Sequence, residues 1–407
     1  VSDRLNWLIS VDDHVLEPAH VWEQRLPSRY KDLGPRLRTD DAGEAWFYEG
    51  KRMPTIGLSA AAGKKKEEFS PLPMTYAEMR PGCYDSKARL EDMNRDGVLA
   101  SLCFPSFPRF CGQTFYEGED KELGLLCVQA YNDWMVEEWA GADPGRFIPM
   151  ILIPLWDPRA AAAEIERMAG KGARAIAFSE NPSPLGLPSI HDHGRYWEPV
   201  FTAAAETGMP LCTHLGSSSK LPQPSPDTPM ISTVAMTPVV SIASTCIEWL
   251  FSGIFTRHPG LKLCLSEGGI GWIPYVLERC DYVVERQGYW AAQGDFAGDI
   301  TKGEAKVVVG EYGAVDLSVM PSELFREHVY GCFIDEEHGP RNIDRIGVDN
   351  VMIETDYPHT DSSWPNSIES ARRNLGHLSE DDQYKILRGN AERVFNFTPS
   401  APPVTKS

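Results

Sequence analysis

Eight short apolar runs recur along the chain, each set off from the next by a helical pattern or a long polar interval, and no other feature restricts the fold as much. The runs predict strands at residues 7–13, 97–105, 146–154, 173–179, 209–214, 261–267, 330–335 and 350–357. Several are apolar throughout, as expected of parallel strands covered on both faces. Helical patterns lie between them at 122–140, 160–169, 196–207 and 270–286. Pro158 falls where a helix start tolerates proline. A repeated strand–helix unit predicts either a right-handed barrel or a doubly wound sheet. The count of eight and the lack of GxGxxG after the first run favour the barrel.

The 407 residues suit one decorated (β/α)₈ barrel, which takes about 250 residues before insertions. We therefore expect a single domain over residues 1–400. The interval at about 17–87 is rich in Pro, Gly and charge and predicts a cap or lid, with a small hairpin near 45–53. A second Pro- and Ser-rich interval covers 216–237, and both would lie at the catalytic end of such a barrel.

Composition excludes some functions. A formal net charge of -19 argues against nucleic-acid binding, which needs concentrated Lys and Arg. The basic run Lys64-Lys65-Lys66 is followed at once by Glu67-Glu68 and reads as a solvated loop. Nine cysteines without a CxxC pair predict buried thiols in a reduced, cytoplasmic setting, not a disulfide framework. No uninterrupted apolar run approaches about 20 residues, so no membrane span is expected.

Chemistry-bearing residues fall at strand ends. The first strand closes on Asp12-Asp13-His14, the fifth on His214, the sixth on Glu267 and the eighth on Asp356. In a barrel these positions converge on one mouth, and strand alternation puts Asp12 and His14 on one side with Asp13 opposite. Imidazole with carboxylate suits Zn²⁺, Mn²⁺ or Fe²⁺ better than Mg²⁺ or Ca²⁺. Glu267 and His359 are candidates for proton transfer, and His191 of the "HDH" pair is a further candidate for the mouth. Arg195, Trp197 and Trp364 are pocket candidates.

Together, "VDDHVLEP", "THLG", "LSEGGIGWIPYVLERCD", "ETDYPHTDSSWPNS" and "LRGNAERVF" make the chain resemble the amidohydrolase-2, or aminocarboxymuconate-semialdehyde decarboxylase-like, branch of the amidohydrolase superfamily over nearly its whole length. The resemblance implies a metal-dependent TIM barrel of the metallo-dependent hydrolase type. The family's first-strand HxH appears as Asp12-x-His14, its fifth-strand histidine matches His214, and its eighth-strand aspartate matches Asp356. Glu267 stands where the decarboxylases place a sixth-strand histidine. The resemblance implies hydrolysis or nonoxidative decarboxylation of a small carboxylate or amide, with zinc or manganese bound by Asp12, His14, His214 and Asp356. Catalytic proton transfer then falls to Glu267, His359 or Asp356.

Some relatives imply an alternative, an iron-containing binuclear centre for oxygen-dependent chemistry fed by a redox partner. Asp12 and Glu267 would supply its extra anionic ligands, with His359 or His191 near the second metal. A third alternative is a noncatalytic barrel subunit. Homo-oligomers, or hetero-oligomers with a homologous barrel, are expected in each case.

Overall fold

The computed structural model describes residues 3–291, 294–297, 302–303, 306–309 and 317–403. All eight predicted strands are present, and we number these staves β1 (Leu8–Val15), β2 (Val98–Pro105), β3 (Phe147–Ile148 and Met150–Ile151), β4 (Ala175–Ser179), β5 (Leu211–His214), β6 (Leu263–Ser266), β7 (Val329–Phe333) and β8 (Val351–Ile353). Every pairing between staves is parallel. The hydrogen-bonded order runs from Phe147–Ile148 through β2, β1, β8, β7, β6, β5 and β4 to Met150–Ile151. Both ends of that ladder belong to β3, with only Pro149 between them. Proline has no N–H to donate and so interrupts the strand, while its carbonyl accepts from Arg174 N at 2.8 Å. The staves thus run in a ring, as in a TIM barrel.

The strands are buried along their length, so their apolar runs face the barrel interior on one side and the helices on the other. The helices that matter below are α1 (Ser86–Asp96), α2 (Lys121–Trp134), α3 (Pro158–Lys171), α4 (Glu198–Thr207), α5 (Met230–Thr237), α6 (Ala243–Leu250) and α7 (Ile273–Ala291). Pro158 opens α3, and the Asp157 carboxylate caps it by accepting from Arg159 N and Ala160 N. The helical pattern at 122–140 breaks after Trp134 into a wider turn over Met135–Trp139.

The 17–87 interval carries a three-stranded antiparallel sheet, Arg36–Asp40, Gly43–Tyr48 and Lys51–Met53, one strand more than a hairpin. In its second turn Glu49 and Gly50 both have positive φ, the sign that a two-residue hairpin turn requires. The interval is tied to the barrel mouth where Ala61 N and Ala62 N donate to Pro358 O at 2.7 and 3.1 Å. The buried Arg89 of α1 ties it again by donating to Gly82 O and His14 O, both at 2.6 Å.

Although no apolar run is uninterrupted, residues Met230–Leu250 form a single helical stretch that is long and apolar enough, by length and composition, to cross a membrane. Serines and threonines break up its apolar runs without ending the helix.

Candidate metal centre

Two hydrogen bonds beyond the β1–β8 ladder assemble the centre. Asp356 N donates to Asp12 O at 2.9 Å, and His14 N donates to Tyr357 O at 2.7 Å, so the ends of β1 and β8 run side by side past the last paired strand residues. On the other side, His214 pairs in register with Ser266, which places Glu267 next to it. Glu267 and Asp356 both have positive φ. That left-handed region costs a non-glycine residue roughly 1 kcal/mol. Both residues turn sharply at a strand end, which aims their carboxylates across the barrel axis.

The distances are those of a ligand cluster. His14 Nε2 lies 3.5 Å from Asp12 Oδ1 and 3.2 Å from Asp356 Oδ1. His214 Nε2 lies 3.6 Å from Asp12 Oδ2 and 2.9 Å from Glu267 Oε2. Two overlapping donor groups result: Asp12, His14 and His214, and His14, Glu267, Asp356 and His359. The His14 ring stacks on His359 at 3.6 Å and meets His214 edge-on at 5.0 Å. The outer nitrogen of His214 is held at 2.6 Å from Leu215 O, which orients Nε2 inward in the manner of a ligating imidazole.

Hydrogen-bond accounting gives the test of fit. Both carboxylate oxygens of Asp12, both of Asp356, and the Nε2 atoms of His14 and His214 are buried without a hydrogen-bond partner. Six such atoms within two overlapping donor groups would be costly in a finished protein core, where buried polar groups are paired. A divalent cation held among these residues would supply the missing partner. Burial, aggravated by Glu354, Glu267 and Asp356, holds the Asp12 carboxyl well above its ordinary pKa. Burial and the neighbouring His359 and His214 push His14 well below its own. His359 goes the other way: burial opposes its charge, but Asp356, with Nδ1 3.1 Å from Oδ1, and Glu267 outweigh that and raise it.

Asp13 faces away from this cluster. Its carboxylate accepts from Ser10 Oγ at 2.9 Å, Thr355 Oγ1 at 2.6 Å and Tyr357 N at 3.0 Å, and also from Ser101 Oγ, so it joins β1, β2 and β8 behind the centre. Replacing Asp13 with Ala removes four buried hydrogen bonds at once, and we expect a loss of about 3 kcal/mol in unfolding free energy by urea titration.

His191 lies apart from both donor groups. Its Nε2 pairs with Glu248 at 2.7 Å on a half-exposed surface, because the Pro-rich segment before it carries it off the mouth. Trp197 is a core residue bonded to Pro188 O, and Trp364 stacks under Arg80; neither lines the cavity, nor does Arg195.

Sequence reasoning missed two partners. Glu354 is buried behind Glu267, accepts from Glu267 N at 3.2 Å and from Cys332 Sγ at 2.6 Å, and is pushed by burial to a pKa of about 8. The alternation of Glu354 with Asp356 in "ETD" was the available signal. Phe110 stacks on His214 at 4.1 Å from a loop whose position no local pattern predicts.

Above the centre opens a cavity of about 440 Å³. Glu267, Glu354, Asp356, His359 and Asp361 form its floor, while Leu58, Leu215, Leu221, Val234 and Phe333 supply apolar wall. No Lys or Arg lines it among the described residues.

A parallel barrel with a His/Asp donor cluster at its strand ends defines a class, the metal-dependent barrel enzymes. The match is more specific: the amidohydrolase family model covers residues 19–397, and the chain belongs to that family of enzymes. A gamma-resorcylate decarboxylase of Rhizobium sp. (strain MTP-10005) is 26% identical over 287 residues, 68% of this chain and 78% of the relative. An amidohydrolase structure from Mycobacterium avium subsp. paratuberculosis superposes with a TM-score of 0.70 at 21% identity, covering 96% of this chain and 99% of the other. A dihydroxybenzoic acid decarboxylase from Polaromonas sp. JS666, solved with bound manganese and 2-nitroresorcinol, superposes with a TM-score of 0.61 at 17% identity, covering 98% and 99%. The oxygen-dependent and noncatalytic alternatives draw no support from these relatives.

Proposed function

We propose that this chain is a divalent-metal-dependent nonoxidative decarboxylase of small aromatic carboxylates. The observation that carries the reading is the set of buried, unpartnered atoms of Asp12, His14, His214 and Asp356, a cluster that reaches a cavity sized for one ring through Asp356, Glu267 and His359. Manganese or zinc suits this mixed nitrogen and oxygen set, and the manganese held by the Polaromonas relative supports the former. When bound, the metal supplies positive charge against the substrate's oxygens and against the charge that builds on the ring as the carboxylate carbon departs.

The chain's own residues do the rest. No Lys or Arg is among the described residues that line the cavity, so the metal centre and the neighbouring His359 are the groups that attract the substrate carboxylate. Leu58, Leu215, Leu221 and Phe333 cover the ring and exclude water. Loss of CO₂ leaves a ring carbon that must gain a proton. We assign that delivery to Glu267, which reaches into the cavity beside His214 Nε2, and its resupply to His359, whose pKa Asp356 raises. The interval at 17–87 acts as a cap within one domain spanning 1–400, since its Leu58 and Ser59 complete the cavity wall.

The test is turnover of hydroxybenzoates to CO₂ and the phenol under argon, with metal counted per chain by elemental analysis. About one manganese or zinc with oxygen-independent CO₂ release is the expected result. Two metals including iron, with product formed only under oxygen, would replace this reading with the binuclear one.

A further inference from the structure

Glu180 is a buried acid that the proposed chemistry leaves unused. It follows the last residue of β4, and Ser179 pairs in register with His214 of β5, so Glu180 lies beside the turn that leaves the metal centre. Its Oε2 atom is buried without a hydrogen-bond partner. Oε1 is crowded by contrast, accepting from Gly216 N at 3.0 Å, Ser218 N at 3.3 Å and Ser218 Oγ at 2.8 Å. The backbone tightens the same turn. Glu180 N donates to Ser217 Oγ at 2.8 Å, and Ser179 Oγ donates to Ser217 O at 3.2 Å. Glu180 O is itself held by Thr245 Oγ1 of α6 at 3.1 Å. Burial lifts the carboxyl's pKa, and the donors on Ser218 and Gly216, with His214 nearby, pull it part of the way back. Glu180 belongs to neither donor group of the centre.

The bond to Gly216 matters most, because Gly216 N and Leu215 O belong to one peptide unit. In a trans peptide the N–H and the C=O point in opposite directions within one rigid plane, and the 215–216 bond is trans. On one side of this plane the N–H donates to Glu180, and on the other the C=O accepts from His214 Nδ1 at 2.6 Å. The plane has little freedom to turn. Gly216 has a φ of 81°, and a Cβ there would stand 3.3 Å from the Phe110 ring, which stacks on His214.

We propose that Glu180 is a positioning residue for the metal ligand His214, acting through the Leu215–Gly216 peptide. Its negative charge polarises the peptide N–H, which makes Leu215 O a stronger acceptor for the Nδ1 proton. Nε2 then keeps both its direction and its electron density toward the metal. Ligating histidines often give their outer N–H straight to a carboxylate; here one peptide unit stands between the two. A mechanical clamp would need only an acceptor at Oε1, and an amide supplies that as well, so charge and shape can be separated. This role rests on His214 being a ligand, as the proposed function has it, and not on the identity of the substrate.

The test is Mn²⁺ binding at pH 8, followed by electron paramagnetic resonance of the free ion, for wild type, Glu180→Gln, H214A and E180Q/H214A. Gln keeps the shape and an acceptor for Gly216 N, so E180Q should fold with the circular dichroism of wild type. Its Mn²⁺ dissociation constant should rise roughly ten- to a hundred-fold. In the H214A background the same change should alter binding by less than about two-fold, because the route to the metal is gone. The visible bands of the Co²⁺-loaded chain, which report the ligand field, should shift in E180Q. Wild-type affinity in E180Q, an unchanged Co²⁺ spectrum, or an equal loss with and without His214 would each overturn the role. Should E180Q not fold, Glu180→Asp keeps the charge but draws it back from Gly216 N by one methylene. It goes through the same cycle with the same expected outcome. A wild type that binds no Mn²⁺ would overturn the metal centre itself. If hydroxybenzoates prove not to be substrates, the binding results stand unaffected.

Discussion

Asp12→Asn is expected to cut metal-supported turnover steeply while making the metal-free protein more stable. Both carboxylate oxygens of Asp12 are buried and unpartnered, and Glu354, Glu267 and Asp356 add repulsion to the burial. Without a cation, holding a carboxylate there is a net cost. The amide keeps the shape and removes the charge, so thermal unfolding of the metal-free variant should shift upward by a few degrees, corresponding to about 1–3 kcal/mol. The sign with pH follows from linkage. The carboxyl's pKa is raised in the folded state, so the folded protein binds the extra proton and wild-type stability falls as pH rises from the ordinary carboxylate range. The variant's advantage should therefore widen from pH 5 to pH 8. With metal the order reverses: the anionic ligand is lost, affinity falls, and kcat/KM should drop on the order of 10³-fold, about 4 kcal/mol. A metal-free variant less stable than wild type at pH 8 would show that Asp12 is satisfied by something other than a cation.

Glu267→Gln separates proton delivery from metal binding. Glu267 contacts His214 Nε2 at 2.9 Å and is also the most exposed carboxylate of its donor group, with 18% of its side chain accessible. Acting as the proton donor, its loss should cost roughly 10²- to 10⁴-fold in kcat, the usual range for a positioned acid–base group, with metal content within about two-fold of wild type. Release of CO₂ and uptake of solvent deuterium into the product should slow together. Equal loss of metal and of kcat would instead make Glu267 a ligand and move proton delivery to His359.

The Glu267 position also shows how far sequence reaches. Its chemistry could be read from "LSEGG", because an acid after an apolar strand and before two glycines stands at a barrel mouth wherever eight such strands exist. Its neighbours could not. Glu354 meets Glu267 from 87 residues away, and Phe110 meets His214 from a loop that carries no periodic signal. His191 fails for the converse reason: "HDH" is a metal-like spacing, but three prolines before it remove the alternation that would have told its direction.

Local periodicity, acting within single segments, determined the eight strands, the helices between them, and the placing of Asp12, His14, His214, Glu267 and Asp356 at strand ends. These follow from the chain itself, since alternation and apolar runs are properties of neighbouring residues. Tertiary structure alone decided the return of the ladder through Pro149 and the overlap of two donor groups on His14. It alone decided, too, which hydroxyls hold Asp13 behind the centre, and that both oxygens of Asp12 stay unpaired. Pairing between residues hundreds of positions apart depends on the barrel's register and curvature, and neither is a property of any segment taken alone.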